Sequence, residues 1–125
     1  LLLSQVKMPK AELVMLGGVY DPHHSIFTGT MAEQMLRSFR FEHAFIGCYG
    51  VSLAEGKCYD LDMASTNIKL IGAENAVHRY LLLDGSKLEK RGFYGFADLT
   101  AFDHVYCTRP AVPAELPENF VLVQK

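Results

Sequence analysis

The chain has 125 residues, of which 50% are hydrophobic and 21% are charged, and its formal net charge is −2. This length and composition are typical of one globular domain that needs no disulfide or metal ion to fold. The near balance of 12 basic and 14 acidic residues argues against a nucleic-acid-binding surface, and no apolar run approaches the roughly 18 residues of a membrane-spanning helix. Three cysteines at scattered spacing indicate reduced thiols in a cytoplasmic protein.

The first half of the chain predicts a strand, a helix and a strand. Residues 12–16 (ELVML) and 44–46 (AFI) are short apolar runs that end at glycines. Such runs are typical of strands buried on both faces of a sheet, with a buried helical fragment as the alternative. Between them, Thr30 and Glu33 have the spacing of a capping box at a helix start. The predicted helix places four apolar side chains on one face, those of Met31, Met35, Leu36 and Phe39.

The second half continues this alternation. A helix is predicted over residues 62–76, with Asp62 or Ser65 as its cap. Three further apolar runs predict strands, and they are residues 80–83 (YLLL), 104–107 (HVYC) and 120–123 (FVLV). Residues 88–99 match no element clearly. The pattern predicts an α/β fold with a mostly parallel sheet and flanking helices.

The residues that follow the predicted strands form the candidate binding site, because ligands of open α/β sheets bind beyond the carboxyl ends of the strands. Glycines there let a ligand approach the backbone and its amide donors, and lysines supply positive charge for a phosphate. Turn glycines and solvated lysines are the alternative interpretation. The candidates after the strands are Gly17, Gly18, Gly47, Gly50, Asp84, Ser86 and Lys87, and Lys69 of the second predicted helix could point at the same cleft.

Two weaker candidates are a histidine pair and a cysteine. His23 and His24 follow Asp21, but adjacent histidines point in different directions, so we expect an exposed loop and not a metal site. Cys48 has no recognisable partner base, so we expect a small buried hydrophobic side chain and not a nucleophile. The chain contains no GxGxxG, GxxxxGK[ST], HExxH or GxSxG motif. We therefore predict no cofactor, no metal and no catalytic residue.

The ordered motifs of the chain resemble the carboxy-terminal effector-binding domain of DeoR-type bacterial transcription regulators. The segments that carry the resemblance are ELVMLGGVYD, SIFTGTMAEQML, EHAFIGCYGVSLAEG, NIKLIGAENAVHRYLLLDGSK and LTAFDHVYCT. The resemblance covers residues 12–123. Its specificity comes from the order of a glycine pair, an FIG-x-x-G loop and a D-x-S-K element.

This resemblance implies a fold shared with ribose-5-phosphate isomerase and CoA transferases. It implies a sensor that binds a phosphorylated sugar or sugar alcohol and controls a carbohydrate operon, usually as a repressor. The family's pocket residues match the candidate residues one by one. The glycine pair is Gly17 and Gly18, the loop glycines are Gly47 and Gly50, the helix lysine is Lys69, and the D-x-S-K residues are Asp84, Ser86 and Lys87.

The family also has an amino-terminal helix-turn-helix, and a D-x-G-[ST] loop and a Thr-Asn pair before the glycine pair. None of these occurs before Gly17. We therefore expect residues 1–125 to form one effector-binding domain that begins inside its first α/β unit. DNA binding is expected only through the missing amino-terminal domain, with no membrane partner and with self-association into a homo-oligomer.

Two other functions compete with a sensor. A sugar-phosphate isomerase on the same fold needs a positioned carboxylate base. Glu55, Asp60 and Asp84 are available, but none lies in a recognisable catalytic loop. A phosphorelay receiver needs an acidic pair after the first strand, where this chain has Gly17 and Gly18. The sequence therefore favours a non-enzymatic sensor.

Overall fold

The computed structural model describes residues 10–111 and 113–124. In chain order its helices and strands are β1 (Val19–Asp21), β2 (Ile26–Thr28), α1 (Thr30–Arg37), β3 (Phe41–Ile46), β4 (Gly50–Ser52), β5 (Lys57–Asp60), α2 (Met63–Glu74), β6 (Ala76–Leu83), β7 (Tyr94–Asp98), β8 (His104–Thr108) and β9 (Phe120–Val123). Short 3₁₀ turns follow β6 at Gly85–Lys87 and β7 at Leu99–Ala101. None of the helices in these two ranges has the length and apolar character to cross a membrane.

Four parallel strands in the order β3-β6-β8-β9 form the central sheet. Parallel neighbours need crossover connections, and α2 lies in the connection between β3 and β6. The predicted strands at residues 44–46, 80–83, 104–107 and 120–123 all lie within this sheet. The expected fold class, an α/β fold with a mostly parallel sheet and flanking helices, is confirmed.

Helix α2 begins as the sequence predicts. The side chain of Asp62 accepts a hydrogen bond from the Ser65 amide at 2.9 Å, which satisfies one of the free donors at the helix start. The helix buries Ser65, Thr66 and Ile71. Asn75 follows its last turn, and the amide of Phe41 donates to the Asn75 carbonyl, which joins the end of α2 to the start of β3.

The start of α1 differs from the prediction. Gly29 is the residue before the helix, with φ 94, and its carbonyl accepts a hydrogen bond from the Glu33 amide. The Thr30–Glu33 capping box is therefore wrong, because Thr30 already lies inside the helix and no side chain caps it. The buried face also differs from the predicted one, since the helix buries Ala32 and Leu36 while Met31 is 70% exposed.

The strand predicted at residues 12–16 is also wrong. These residues have no regular secondary structure, and Leu13, Val14 and Met15 are half or more exposed. An apolar run becomes a strand only where a neighbour pairs with its backbone, and the described part of the chain contains no such pairing for these residues. The first strand instead begins after the glycine pair, at Val19, and forms an antiparallel hairpin with β2.

Three strands that the sequence pattern did not predict form a second, antiparallel sheet in the order β4-β5-β7. Each has five or fewer residues and mixed polarity: GVS, KCYD and YGFAD. Strand β7 lies within the unassigned segment at residues 88–99. Buried residues of this sheet, including Val51, Cys58 and Phe96, share one hydrophobic core with the central sheet.

The central sheet is buried on one face only within the described residues. Leu81 and Leu83 are 0% and 4% exposed, whereas Leu82 between them is 46% exposed. The prediction that these strands are buried on both faces is therefore wrong. The outer face carries a row of contacting rings from three adjacent strands, which are His43, Phe45, His78, Tyr80, His104 and Tyr106.

Candidate functional site

The segments that follow β3, β6 and β8 meet at the carboxyl edge of the central sheet. The Lys87 ammonium group, in the turn after β6, donates a hydrogen bond to the Cys48 carbonyl in the loop after β3, at 3.0 Å. The Gly85 amide in the same turn donates to the Thr108 hydroxyl at the end of β8, at 2.7 Å. The turn after β6 therefore contacts the segments on both sides of it.

Asp60 is a buried acceptor beside this edge. It is 6% exposed, and its Oδ2 atom lies 2.6 Å from the Nζ atom of Lys69. The Tyr49 amide donates to its Oδ1 atom at 3.1 Å, and the Thr66 hydroxyl donates to Oδ2 at 3.3 Å. Asp60 thus joins the end of β5 to α2 and to the loop after β3, and it holds the Lys69 ammonium group in place.

Cys48 is near both lysines, since its carbonyl accepts a hydrogen bond from Lys87 and it lines the smaller cavity together with Lys69. Its side chain is buried, and this burial raises the pKa of the thiol to about 11, while the charges of Lys69 and Lys87 act in the opposite direction. The thiol is therefore protonated at neutral pH and is a poor nucleophile. The interpretation of Cys48 as a small buried side chain is confirmed.

Two cavities open at this edge of the sheet. The larger, of about 860 Å³, is lined by residues that follow β6 and β8, including Asp84, Ser86, Thr108 and Arg109. The smaller, of about 260 Å³, contains Cys48, Tyr49, Asp60 and Lys69 in its wall. The larger cavity is of the size that encloses small-molecule ligands, roughly 300–1,000 Å³.

The larger cavity combines donors and acceptors. Ser86 and Arg109 are exposed, and Asp84 and Thr108 are half-buried. The Asp84 side chain accepts a hydrogen bond from the Ser86 amide at 3.0 Å, which shapes the turn after β6. A guanidinium group, two hydroxyls and a carboxylate around one cavity can bind an anion together with the hydroxyls of a polar ligand.

Most of the chain matches a single protein family. Residues 3–108 match the family model described as the DeoR C terminal sensor domain. The chain belongs to this family. Its membership agrees with the resemblance of the motifs and with the α/β architecture.

Curated relatives of this sensor domain are transcription regulators. The chain is 25% identical over 114 residues to the L-fucose operon activator of Haemophilus influenzae, with 91% of this chain and 43% of that protein covered. It is 31% identical over 85 residues to the lactose phosphotransferase system repressor of Staphylococcus aureus, with 68% of this chain and 33% of that protein covered. The chain spans less than half the length of these relatives.

The sensor domain brings part of the predicted site together. Lys69 and Lys87 lie near Cys48 and belong to two different elements, α2 and the turn after β6. Gly47 is exposed and has open space where a side chain would project, so its backbone is accessible. Asp84 and Ser86 line the larger cavity, whose lining does not include Lys87.

The remaining predicted glycines have packing roles or lie in the open. A Cβ atom at Gly50 would lie 2.2 Å from the Lys90 carbonyl oxygen. A Cβ atom at Gly18, where φ is +130, would lie 2.7 Å from the Thr28 carbonyl oxygen. Both glycines therefore permit close contact within the protein. Gly17 is exposed and has nothing within 4 Å of its side-chain position.

Sequence reasoning missed several residues of this edge. Asp60 was considered only as a possible isomerase base, because the strand that it ends was not predicted. Thr108 and Arg109 follow the apolar run at residues 104–107, which is the same signal that selected Asp84, and they line the larger cavity. A Cβ atom added at Gly85 would lie 2.4 Å from the Arg109 carbonyl oxygen. This close approach of the two segments depends on the fold and has no signal in the sequence.

Proposed function

We propose that the chain is the effector-binding part of a transcription regulator of a carbohydrate operon, and that its effector is a phosphorylated sugar or sugar alcohol. Family membership and the names of the relatives support this function, since those proteins are an L-fucose operon activator and a lactose phosphotransferase system repressor. On this proposal the protein acts in the cytoplasm as a repressor. It contacts DNA through a separate helix-turn-helix domain and works as a homo-oligomer.

The observation that carries the proposal is the position of Lys87. Its ammonium group spans from the turn after β6 to the Cys48 carbonyl in the loop after β3. One hydrogen bond leaves two of its three N–H donors for a ligand. Lys69 of α2 lines the smaller cavity together with Cys48, but its charge is paired with Asp60, so Lys87 is the main positive charge beside this loop. This arrangement suits a phosphate group.

The larger cavity, whose lining does not include Lys87, supplies separate groups for the hydroxyls of a sugar. Asp84 accepts hydrogen bonds from hydroxyls, Ser86 and Thr108 both donate and accept, and Arg109 adds a charged donor. The Gly85 amide donates a hydrogen bond to Thr108, which joins the turn after β6 to the end of β8. A ligand that contacts one of these two segments therefore also affects the other. Such a ligand shifts a two-state regulator only by its difference in affinity between the two states.

An isomerase is the alternative function, and the environment of Asp60 argues against it. A general base needs a free lone pair directed at the substrate. Asp60 already accepts hydrogen bonds from Lys69, Thr66 and the Tyr49 amide. Asp84 accepts one from the Ser86 amide within its own turn. The contacts of Asp60 therefore favour a binding function over an isomerase that uses this carboxylate as its base.

Calorimetric titration of the chain with pentose and hexose phosphates tests the proposal, with the free sugars and inorganic phosphate as controls. We expect saturable binding of at least one sugar phosphate, and at least tenfold weaker binding of the corresponding free sugar. Indifference to the whole panel would overturn the phosphorylated effector. Turnover of a sugar phosphate in an isomerase assay would overturn the assignment as a non-enzymatic sensor.

A further inference from the structure

Three metal-ligating side chains meet at the mouth of the smaller cavity. Asp21 ends β1, His24 lies in the turn between β1 and β2, and Asp62 caps the start of α2. One ligand atom from each lies within 4.8 Å of the other two. The fold therefore brings one imidazole and two carboxylates together from segments that are far apart in the chain.

We propose that Asp21, His24 and Asp62 form a binding site for a divalent transition-metal ion, with Zn²⁺ as the reference ion. Imidazole nitrogen and carboxylate oxygen are ligands that such ions accept. The two carboxylates match the charge of the ion. Three protein ligands leave at least one position open for water or another donor.

The distances suit a shared ion. The Nδ1 atom of His24 lies 2.7 Å from the Oδ2 atom of Asp21. These two atoms are joined by a hydrogen bond in the structure. At the tetrahedral angle of Zn²⁺, two ligand atoms about 2.1 Å from the ion are about 3.4 Å apart, so an ion would replace the hydrogen bond and separate the atoms by about 0.7 Å. The His24 side chain is 46% exposed, so the imidazole is free to turn towards an ion.

The surrounding hydrogen bonds hold the carboxylates in orientation. The His23 amide donates to Oδ1 of Asp21 at 2.9 Å, and the Ser65 amide donates to Oδ2 of Asp62 at 2.9 Å. Outer hydrogen bonds of this kind orient metal ligands. No lysine or arginine of the described ranges forms an ion pair with either carboxylate. Asp21 pairs with His24 itself, and a metal ion would replace the ring proton in that pair.

A bound ion would join the β1–β2 turn to the start of α2. His24 and Asp62 line the same cavity as Lys69, so the ion would lie at its rim. Because the ion would bind the folded arrangement and not the separated segments, it would stabilise the folded state by mass action. This inference rests on the three side chains alone and is independent of any sugar effector.

Titration of the metal-free chain with Zn²⁺ alone tests the proposal, with Mg²⁺ and Ca²⁺ as comparison ions. We expect one ion per chain, a higher thermal midpoint with Zn²⁺, and weaker effects of the other two ions. Co²⁺ is a second probe, because its absorption spectrum separates thiolate ligands from nitrogen and oxygen ligands. A thiolate band would overturn the proposal, since it would place the metal on a cysteine.

Two variants and one matched control locate the ion. His24→Ala is expected to weaken Zn²⁺ binding at least tenfold, whereas His23→Ala, at the neighbouring exposed position, leaves it unchanged. Asp62→Asn removes a charged ligand but keeps a residue that caps helices well, so it should weaken binding without unfolding α2. Equal losses in the two histidine variants, or full binding by Asp62→Asn, would overturn the site.

Discussion

The Nζ atom of Lys69 lies 2.6 Å from the Oδ2 atom of Asp60, which makes a largely buried ion pair between α2 and the end of β5. The side chains of the pair are 25% and 9% exposed. Removing one member of a buried pair leaves the other charge uncompensated. The pair therefore holds α2 against the end of β5 beside the candidate site.

We expect Asp60→Ala to lower the free energy of unfolding by about 3–5 kcal/mol, the cost of breaking a buried ion pair from one side. Asp98→Ala is the matched control, because it breaks the exposed pair Lys57–Asp98 at the other end of the neighbouring strands. That change should cost less than about 1 kcal/mol. Urea unfolding of both variants gives the comparison, and equal losses would show that Asp60 has no special role.

Lys87→Ala should weaken binding of the sugar phosphate identified by titration by about 1.5–3 kcal/mol, the scale of a hydrogen bond to a charged group. This corresponds to a loss of roughly 10- to 150-fold in affinity. Lys90→Ala, which removes an exposed lysine three residues later, is the control and should leave affinity unchanged. Calorimetry measures both variants, and unchanged affinity in Lys87→Ala would remove this lysine from the site.

Gly85→Ala should destabilise the chain by about 1–3 kcal/mol, because the added Cβ atom would meet backbone and cannot be relieved by a side-chain rotation. The atoms involved are the carbonyl oxygens of Arg109 and Thr108, at 2.4 and 2.7 Å. Gly47→Ala adds the same methyl group where nothing lies within 4 Å. Its stability should stay within about 0.5 kcal/mol of the parent chain. Chemical unfolding of the pair checks this contrast.

Stability should fall at alkaline pH because of two buried thiols. Burial raises the pKa of Cys48 to about 11 and that of Cys58 to about 12, from an ordinary value of 9.0. Below pH 9 the thiols are protonated in both states and contribute no pH dependence. As pH rises above 9 the unfolded chain releases these protons first, so the free energy of unfolding decreases until the folded-state pKa values are passed.

The double variant Cys48→Ala/Cys58→Ala isolates this effect from other groups that titrate in the same range. Urea unfolding at several pH values between 8 and 11 should show a steeper decline for the parent than for the variant. Parallel slopes would contradict the assignment. Alkylation by iodoacetamide at pH 8 gives a second readout, which should be slow in the folded parent and fast in denaturant.

The strands of the central sheet could be predicted because their sequences are continuous apolar runs. The second sheet could not, since KCYD and YGFAD have no clear periodicity and are strands only through their pairing with each other. The run at residues 12–16 shows the opposite failure. Its composition suits a strand, yet the backbone has no pairing partner among the described residues.

The site was predictable to the extent that it follows the ends of strands. Asp84, Ser86 and Lys87 are identified in this way, and Lys69 by its place on the second predicted helix and by the family resemblance. The contact between Lys87 and Cys48 joins residues 39 positions apart, and it depends on β3 and β6 being neighbours in the sheet. Asp60 meets the Tyr49 amide, and Asp62 lies near Asp21 and His24, only through the fold. Asp21 and His24 are three residues apart and form a local hydrogen bond.

The parallel arrangement of the central sheet also determines the order in which the chain can fold. Hairpins such as β1–β2 and β4–β5 join neighbouring segments and close on the microsecond scale. Each pairing in the parallel sheet closes a much longer loop, whose entropy is lost before its contacts form, and such topologies fold slowly. The carboxyl edge exists only once β3, β6 and β8 are side by side. Ligand binding there should therefore appear late in refolding, after most of the secondary structure has formed.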